Sequence, residues 1–222
     1  MQLINSSRII WQTDIDGASC RLVSGRRGDE ELYSRILSVR CQTDPRWPDQ
    51  RTPVDDYSDH YCMLVDDEPV GSLGVTRLID GPVFLSEYVP QLLSDNFYDT
   101  LCSAYRFRIL SEFRRTSPLV PGINLSRHIV REVWREQLMK GVRLDVINIE
   151  SSYIPLYQRM GYEICEGFDY IDPALGTPSS IMYLAADVGR PSIIQDILQD
   201  LGISFSSERV RSALQRKVVA VG

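Results

Sequence analysis

Residues 151–164 read SSYIPLYQRMGYEI and follow directly on VRLDVINIE, residues 142–150. Ile154, Tyr157 and Met160 recur at helical spacing, with Ser151 or Tyr153 one turn before them. Gly161 is the usual residue for leaving a helix through a left-handed conformation. VRLDVINI reads as a strand, so the stretch predicts strand, helix, stop, strand.

The segments on either side extend this reading. SCRLVSG (19–25) is a short strand and GDEELYSRILSVRCQ (28–42) a helix opening in acidic residues, which suit the positive end of the helix dipole. The polar, proline-rich DPRWPDQRTPVDDYSD (44–59) is expected to be a loop that no regular element could hold. HYCMLV (60–65) and VGSLGVTRLI (70–79) flank DDEP and form an antiparallel hairpin. FLSEYVPQLLSD (84–95) holds a helical turn or two interrupted by Pro90, and LCSAYRFRIL (101–110) alternates as a strand should. A loop with two prolines then leads to the helix LSRHIVREVWREQLMKG (125–141), which ends at Gly141. YEICEGFDYI (162–171) and SSIMYLAAD (179–187) supply two more strands. The expected class is α/β or α+β, a mixed sheet with helices on both faces, in one domain over residues 1–188. Two amphipathic helices, PSIIQDILQDLG and SSERVRSALQRKV, form a tail over 189–222, read as a lid or a homodimer contact.

Composition narrows the function. At 222 residues and 43% apolar composition the chain can bury a sizeable core. A formal charge of -6 argues against holding a nucleic-acid backbone, although a local basic patch can still serve a small anionic partner. Nothing approaches ~18 consecutive apolar residues and MQLINSSRIIWQTD is no signal peptide, so a soluble, cytoplasmic protein is expected. Cys20, Cys41, Cys62, Cys102 and Cys165 are scattered singly, without the spacing of a disulfide framework or a zinc site.

Taken together, VINIESSYIPLYQRMGYEI (146–164) resembles the last conserved motif of the GNAT superfamily of N-acyltransferases. There a strand ends near an asparagine, a helix follows, and a tyrosine precedes a glycine-aromatic pair by four positions. Ile154, Leu156, Tyr157, Arg159, Gly161 and Tyr162 fall in that register, and Glu150 stands where asparagine is common. The resemblance implies that the Tyr157 hydroxyl lies near the sulfur of an acyl thioester, where a donor protonates the departing thiolate. By its residues alone, Tyr157 reads equally as a half-buried helix residue with its hydroxyl in water. The superfamily's glycine-rich pyrophosphate turn is not here; RRTSPLVPGINLS (114–126) offers one glycine and a potential helix N-cap in Asn124 or Ser126. Its loss favours a donor carried on the phosphopantetheine arm of acyl carrier protein over free acyl-CoA.

That departure points to a branch. The order DDYSDHYCMLV, VGSLGVTRLIDGP, CSAYRFRIL is similar to the acyl-homoserine-lactone synthases and their relatives, the long-chain N-acyl amino acid synthases, over residues 20–185. Asp56 and Asp59 match a D-x-x-D ahead of the hairpin, Gly81-Pro82 a following G-P, and Arg106-Phe107 the end of E-x-S-R-F. The arginine of G-x-x-R becomes Gly74 unless Arg77 takes its place in a shifted register, and the usual glutamate base becomes Ser103.

The expected site follows from these matches. Tyr157 is the acid, with Glu150 and then Glu112 as candidate bases, since an ammonium has no lone pair with which to attack a thioester. Arg106, Arg108, Arg114 and Arg115, with Phe107, Asn124 and Ser126, are candidates for the donor's phosphate or an acidic carrier protein. The alternative for the arginines is an ordinary charged surface. Asp56, Asp59, His60 and Ser103 are candidates for a small-molecule amine; the alternative for the aspartates is capping of strand amides. No metal is expected. The aromatics Phe84, Tyr88, Tyr105, Phe107 and Trp134 line an acyl tunnel or are plain core. The expected function is transfer of a fatty acyl group from an acyl carrier protein or acyl-CoA thioester to an amine, an N-acyl amino acid synthesis rather than lactone synthesis. A catalytically silent carrier-binding module of the same fold is the alternative.

Overall fold

A computed structural model describes residues 7–15, 17–26, 28–45, 51–83, 95–114, 124–172 and 176–215. Eight strands are ordered β1-β2-β3-β4-β5-β6-β8-β7, with β1 Arg8–Ile15, β2 Ala18–Arg26, β3 Asp59–Val65, β4 Glu68–Arg77, β5 Leu101–Ile109, β6 Leu144–Glu150, β7 Glu163–Ile171 and β8 Pro178–Ala185. The helices are α1 Glu30–Thr43, α2 Leu125–Met139, α3 Ile154–Met160, α4 Gln195–Leu201 and α5 Ser207–Gln215. The chain divides into two compact units, 1–76 with 104–136 and 77–103 with 137–222. β5 therefore contributes its later residues to the first unit and its first three to the second.

In the first unit β1, β2, β3 and β4 pair antiparallel in succession. The β3–β4 turn is two residues long, and Asp66 and Asp67 both adopt the left-handed conformation that a tight hairpin turn demands (φ 49° and 69°). Asp29 caps α1 by accepting from the Leu32 amide at 3.0 Å, and Glu30 and Glu31 fill the first turn. Leu32 and Ile36 of α1 pack with Cys62, Leu64 and Val23. The next residue on β2, Ser24, instead meets Glu136 of α2 at 3.3 Å. Adjacent strand residues point to opposite faces, so α1 and α2 cover opposite sides of this sheet.

In the second unit β6 pairs antiparallel with β8, and β8 with β7. β5 and β6 run parallel, with Leu101 opposite Leu144 and Cys102 opposite Asp145. The described part of the tail, two helices outside the sheet, packs on this unit. Ile194, Ile197, Leu198 and Val210 are buried, and Phe205 meets Phe97 edge to face at 5.7 Å. Polar ties hold it too: Asp187 accepts from the Ser207 amide and hydroxyl at 2.9 and 2.7 Å, and Arg190 and Arg211 both reach Glu163 of β7.

One expectation is corrected and one strand is added. The segment 44–59 does contain a regular element, a 3-10 turn over Pro53–Asp56, because Pro53 suits a first helical position and Asp55 returns to the Thr52 amide at 2.8 Å. β1, a segment unassigned in the sequence, pairs with β2. Most of FLSEYVPQLLSD, including Phe84 and Tyr88, lies outside the described residues.

Candidate active site

In the second unit the opening stretch folds as its spacing predicts. β6 ends at Glu150, a 3-10 turn covers Ser151–Tyr153, α3 carries Tyr157, and Gly161 ends the helix at φ 103°. A Cβ at Gly161 would also come within 2.6 Å of Ser192 Cβ, so backbone and space both demand glycine there. Tyr157 is half-buried, its ring edge to face with Tyr162 at 5.3 Å and 79°. Glu150 is half-buried at the end of β6. Ser103, in the same unit, is buried and its Oγ has no hydrogen-bond partner among the described residues.

The remaining candidates stand in the first unit. Arg106 is half-buried in the middle of β5 with φ 54°, a left-handed backbone that a non-glycine residue rarely adopts. Burial, then the neighbouring charges of Arg40 and Arg108, lower the pKa of its guanidinium. Phe107 is half-buried, and Arg108 is engaged by Asp44 at 3.2 Å. Arg114 is exposed and its Nε donates to the Ile109 carbonyl at 3.0 Å. Glu112 is exposed and accepts from the Ser111 hydroxyl at 3.0 Å. Asn124 accepts from the Arg127 amide at 3.0 Å, capping α2, and Ser126 is half-buried in its first turn. Arg115 lies outside the described residues.

Asp56 is exposed, whereas Asp59 and His60 are buried. Asp59 meets Arg26 at 3.3 Å. The His60 ring donates through Nε2 to the Asp55 carbonyl at 3.0 Å, and burial lowers its pKa, so it is held neutral. The acid at the centre is the one the sequence pattern passed over, Asp55. Arg40, itself fully buried, donates to both its oxygens at 3.1 and 3.2 Å, Tyr105 to Oδ1 at 2.7 Å and Tyr33 to Oδ2 at 2.8 Å. Burial alone would raise its pKa. The Arg40 charge and the donors from Tyr105, Thr52 and Tyr33 outweigh that and hold it below the usual carboxylate range. Arg40 carried the missed signal, since it falls on the stripe of α1 that buries Leu32, Tyr33, Ile36 and Val39.

Gly74, the departure from G-x-x-R, belongs to the same constellation. A Cβ there would lie 2.5 Å from Cζ of Tyr105, so the phenol occupies the volume that any larger residue would need. Arg77 is held by Asp80 at 2.8 Å and reaches the Lys140 carbonyl at 3.4 Å.

Similar architectures are found among solved structures. The acyl-homoserine-lactone synthase LasI superposes with a TM-score of 0.58 at 16% identity, over 76% of this chain and 91% of LasI. This chain has the same GNAT-like fold. The CoA-dependent acyl-homoserine lactone synthase BjaI, solved with SAM and isopentyl-CoA, shares it with a TM-score of 0.53 at 13% identity, over 81% of this chain and 88% of that one. FeeM, an N-acyl amino acid synthase from uncultured soil microbes, does so with a TM-score of 0.52 at 11% identity, over 76% and 91%. No protein-family pattern and no curated protein matches the sequence. The GNAT-like architecture expected from residues 146–164 is therefore the one observed, and identities this low speak for architecture alone.

Proposed function

We propose that the chain is an N-acyltransferase that moves a fatty acyl group from a phosphopantetheine thioester to the amine of an amino acid or a related small molecule. The observation that carries this reading is the left-handed backbone of Arg106 in the middle of β5. A bulky residue held there costs on the order of 1–3 kcal/mol, and such strain clusters where a backbone group must be re-aimed for function.

The remaining roles follow from the chemistry. The neutral amine attacks the thioester carbon, a C–N bond forms, and collapse of the tetrahedral intermediate breaks the C–S bond. Glu150, directly or through a water, takes the amine's proton, and the Tyr157 hydroxyl protonates the leaving thiolate. Exchange with solvent returns both groups to their starting states. No nucleophilic side chain is required. The donor is an acyl carrier protein, with acyl-CoA the alternative. Gly74 beneath Tyr105 and Ser103 in place of the glutamate favour an N-acyl amino acid product over a lactone made from S-adenosylmethionine.

The test is thiol release from acyl-carrier and acyl-CoA thioesters of graded chain length, with amino acids and S-adenosylmethionine as acceptors. Tyr157→Phe should lower kcat by roughly 10²-fold with the fold intact. No release from any donor, alongside measurable carrier binding, would establish the silent binding module instead.

A further inference from the structure

Tyr162 and Asp145 are more polar than their places in the fold require. Tyr162 is 5% exposed and Asp145 1%, yet the phenol donates to Asp145 Oδ2 at 2.6 Å. The Cys102 thiol approaches the other carboxylate oxygen at 3.6 Å. Desolvating a carboxylate costs several kcal/mol, and a well-packed apolar pair of similar volume is often as stable or more so. A phenylalanine at 162 above an aliphatic residue at 145 would fill the same space. The polar pair therefore calls for a role beyond filling.

What the pair does mechanically can be read from its contacts. A carboxylate only accepts, so the single proton of Tyr162 is committed to Asp145 and the ring is pinned at its far end. At the near end the Tyr162 amide donates to the Tyr157 carbonyl at 3.1 Å, across the left-handed Gly161. The pinned ring then meets Tyr157 at 79°, the edge-to-face geometry in which the positive rim of one ring meets the negative face of the other. Tyr157 sits on a helix of seven residues and is only half-buried, and the Tyr162 ring is in direct contact with it.

We propose that Asp145 and Tyr162 are positioning residues that set the direction of the Tyr157 hydroxyl. The inference rests on the reading of Tyr157 as the proton donor. Asp145 holds Tyr162, Tyr162 holds Tyr157, and the commitment of the Tyr162 proton to Asp145 keeps Tyr162 from competing as the donor.

The test is a double-mutant cycle on thiol release. Tyr162→Leu removes the ring and should lower kcat by roughly tenfold or more, with KM for the thioester changed less than twofold, because misplacing a catalytic group by a fraction of an ångström acts on the chemical step. In a Tyr157→Phe background the same substitution should leave kcat unchanged. Tyr162→Phe keeps the ring but frees its far end; it should show a smaller loss with the same non-additivity, and it carries the test if the leucine variant does not fold. Asp145→Asn retains an acceptor for the phenol and should restore most of the kcat that Asp145→Leu loses. Equal fold-losses in both backgrounds, or a folded Tyr162→Leu enzyme with normal kcat, would overturn the positioning role. A normal kcat for Tyr157→Phe alone would instead overturn the underlying assignment of the proton donor.

Discussion

Arg40, Tyr105, Tyr33 and Thr52 all donate to the carboxylate of Asp55, and that convergence makes one side chain the anchor of the first unit's polar interior. Asp55→Asn leaves the buried Arg40 charge uncompensated and should cost roughly 3–5 kcal/mol, read from urea unfolding. The pH dependence has a definite sign. The folded pKa of Asp55 lies below its unfolded value, so its contribution is fully present above about pH 4 and is lost as the pH falls through the folded pKa. The Asn variant should lack that part of the acid limb, and a variant with the same loss of stability below pH 4 would show that other carboxylates carry it. Gly74→Ala forces a methyl against Tyr105 and should cost about 1–3 kcal/mol. The sequence pattern pointed to this neighbourhood through Asp56 and did not single out Asp55. Asp55 and Asp56 are adjacent, and only the 3-10 turn decides that the first is buried and the second exposed.

At the level of elements, what could be read from the sequence was whatever local chemistry dictates. Gly161 ends α3 in a left-handed conformation, and Asp66-Asp67 closes its hairpin through two positive φ angles, because few residues tolerate those backbones. Gly161→Ala should therefore cost about 1 kcal/mol for the backbone, plus more for the collision with Ser192. Ser192→Gly should recover only the second part, and full recovery in a thermal melt would show that the backbone term is absent. β1 was not legible by alternation, because RIIWQTDI is exposed or half-buried along its whole length and shows no clean apolar face. The Asp16-Gly17 dipeptide after it was the available signal, being a strong hairpin marker. The kink at Arg106 had no signal at all, since nothing in CSAYRFRIL favours a left-handed residue and tertiary packing must impose it.

For the molecule as a whole, the architecture could be anticipated where hydrophobic period and punctuation agree, and so could the two helices of the tail, but not the surface that the tail covers. Its helices look separable in sequence because each is amphipathic, but period says only that a face is buried, not against what. Removing residues 189–222 should strip the cover from the second unit, and the truncated chain should lose its cooperative melt; a truncated chain that melts like the full one would show the tail to be dispensable. No helix among the described residues is long and apolar enough to cross a membrane. If an acidic carrier protein docks on this chain of net charge -6, it does so against local basic charge, so Arg114→Ala should weaken binding at low salt and the difference should shrink as salt rises. Position 74 has one more implication, for how sequences of this fold diverge. With a phenol standing over it, a guanidinium-bearing side chain introduced there must displace the Tyr105 ring, and that surrenders a donor to Asp55. A route from this chain to an arginine at position 74 is therefore expected to change Tyr105 as well, and a library that varies both positions should return larger residues at 74 more often than one that varies position 74 alone.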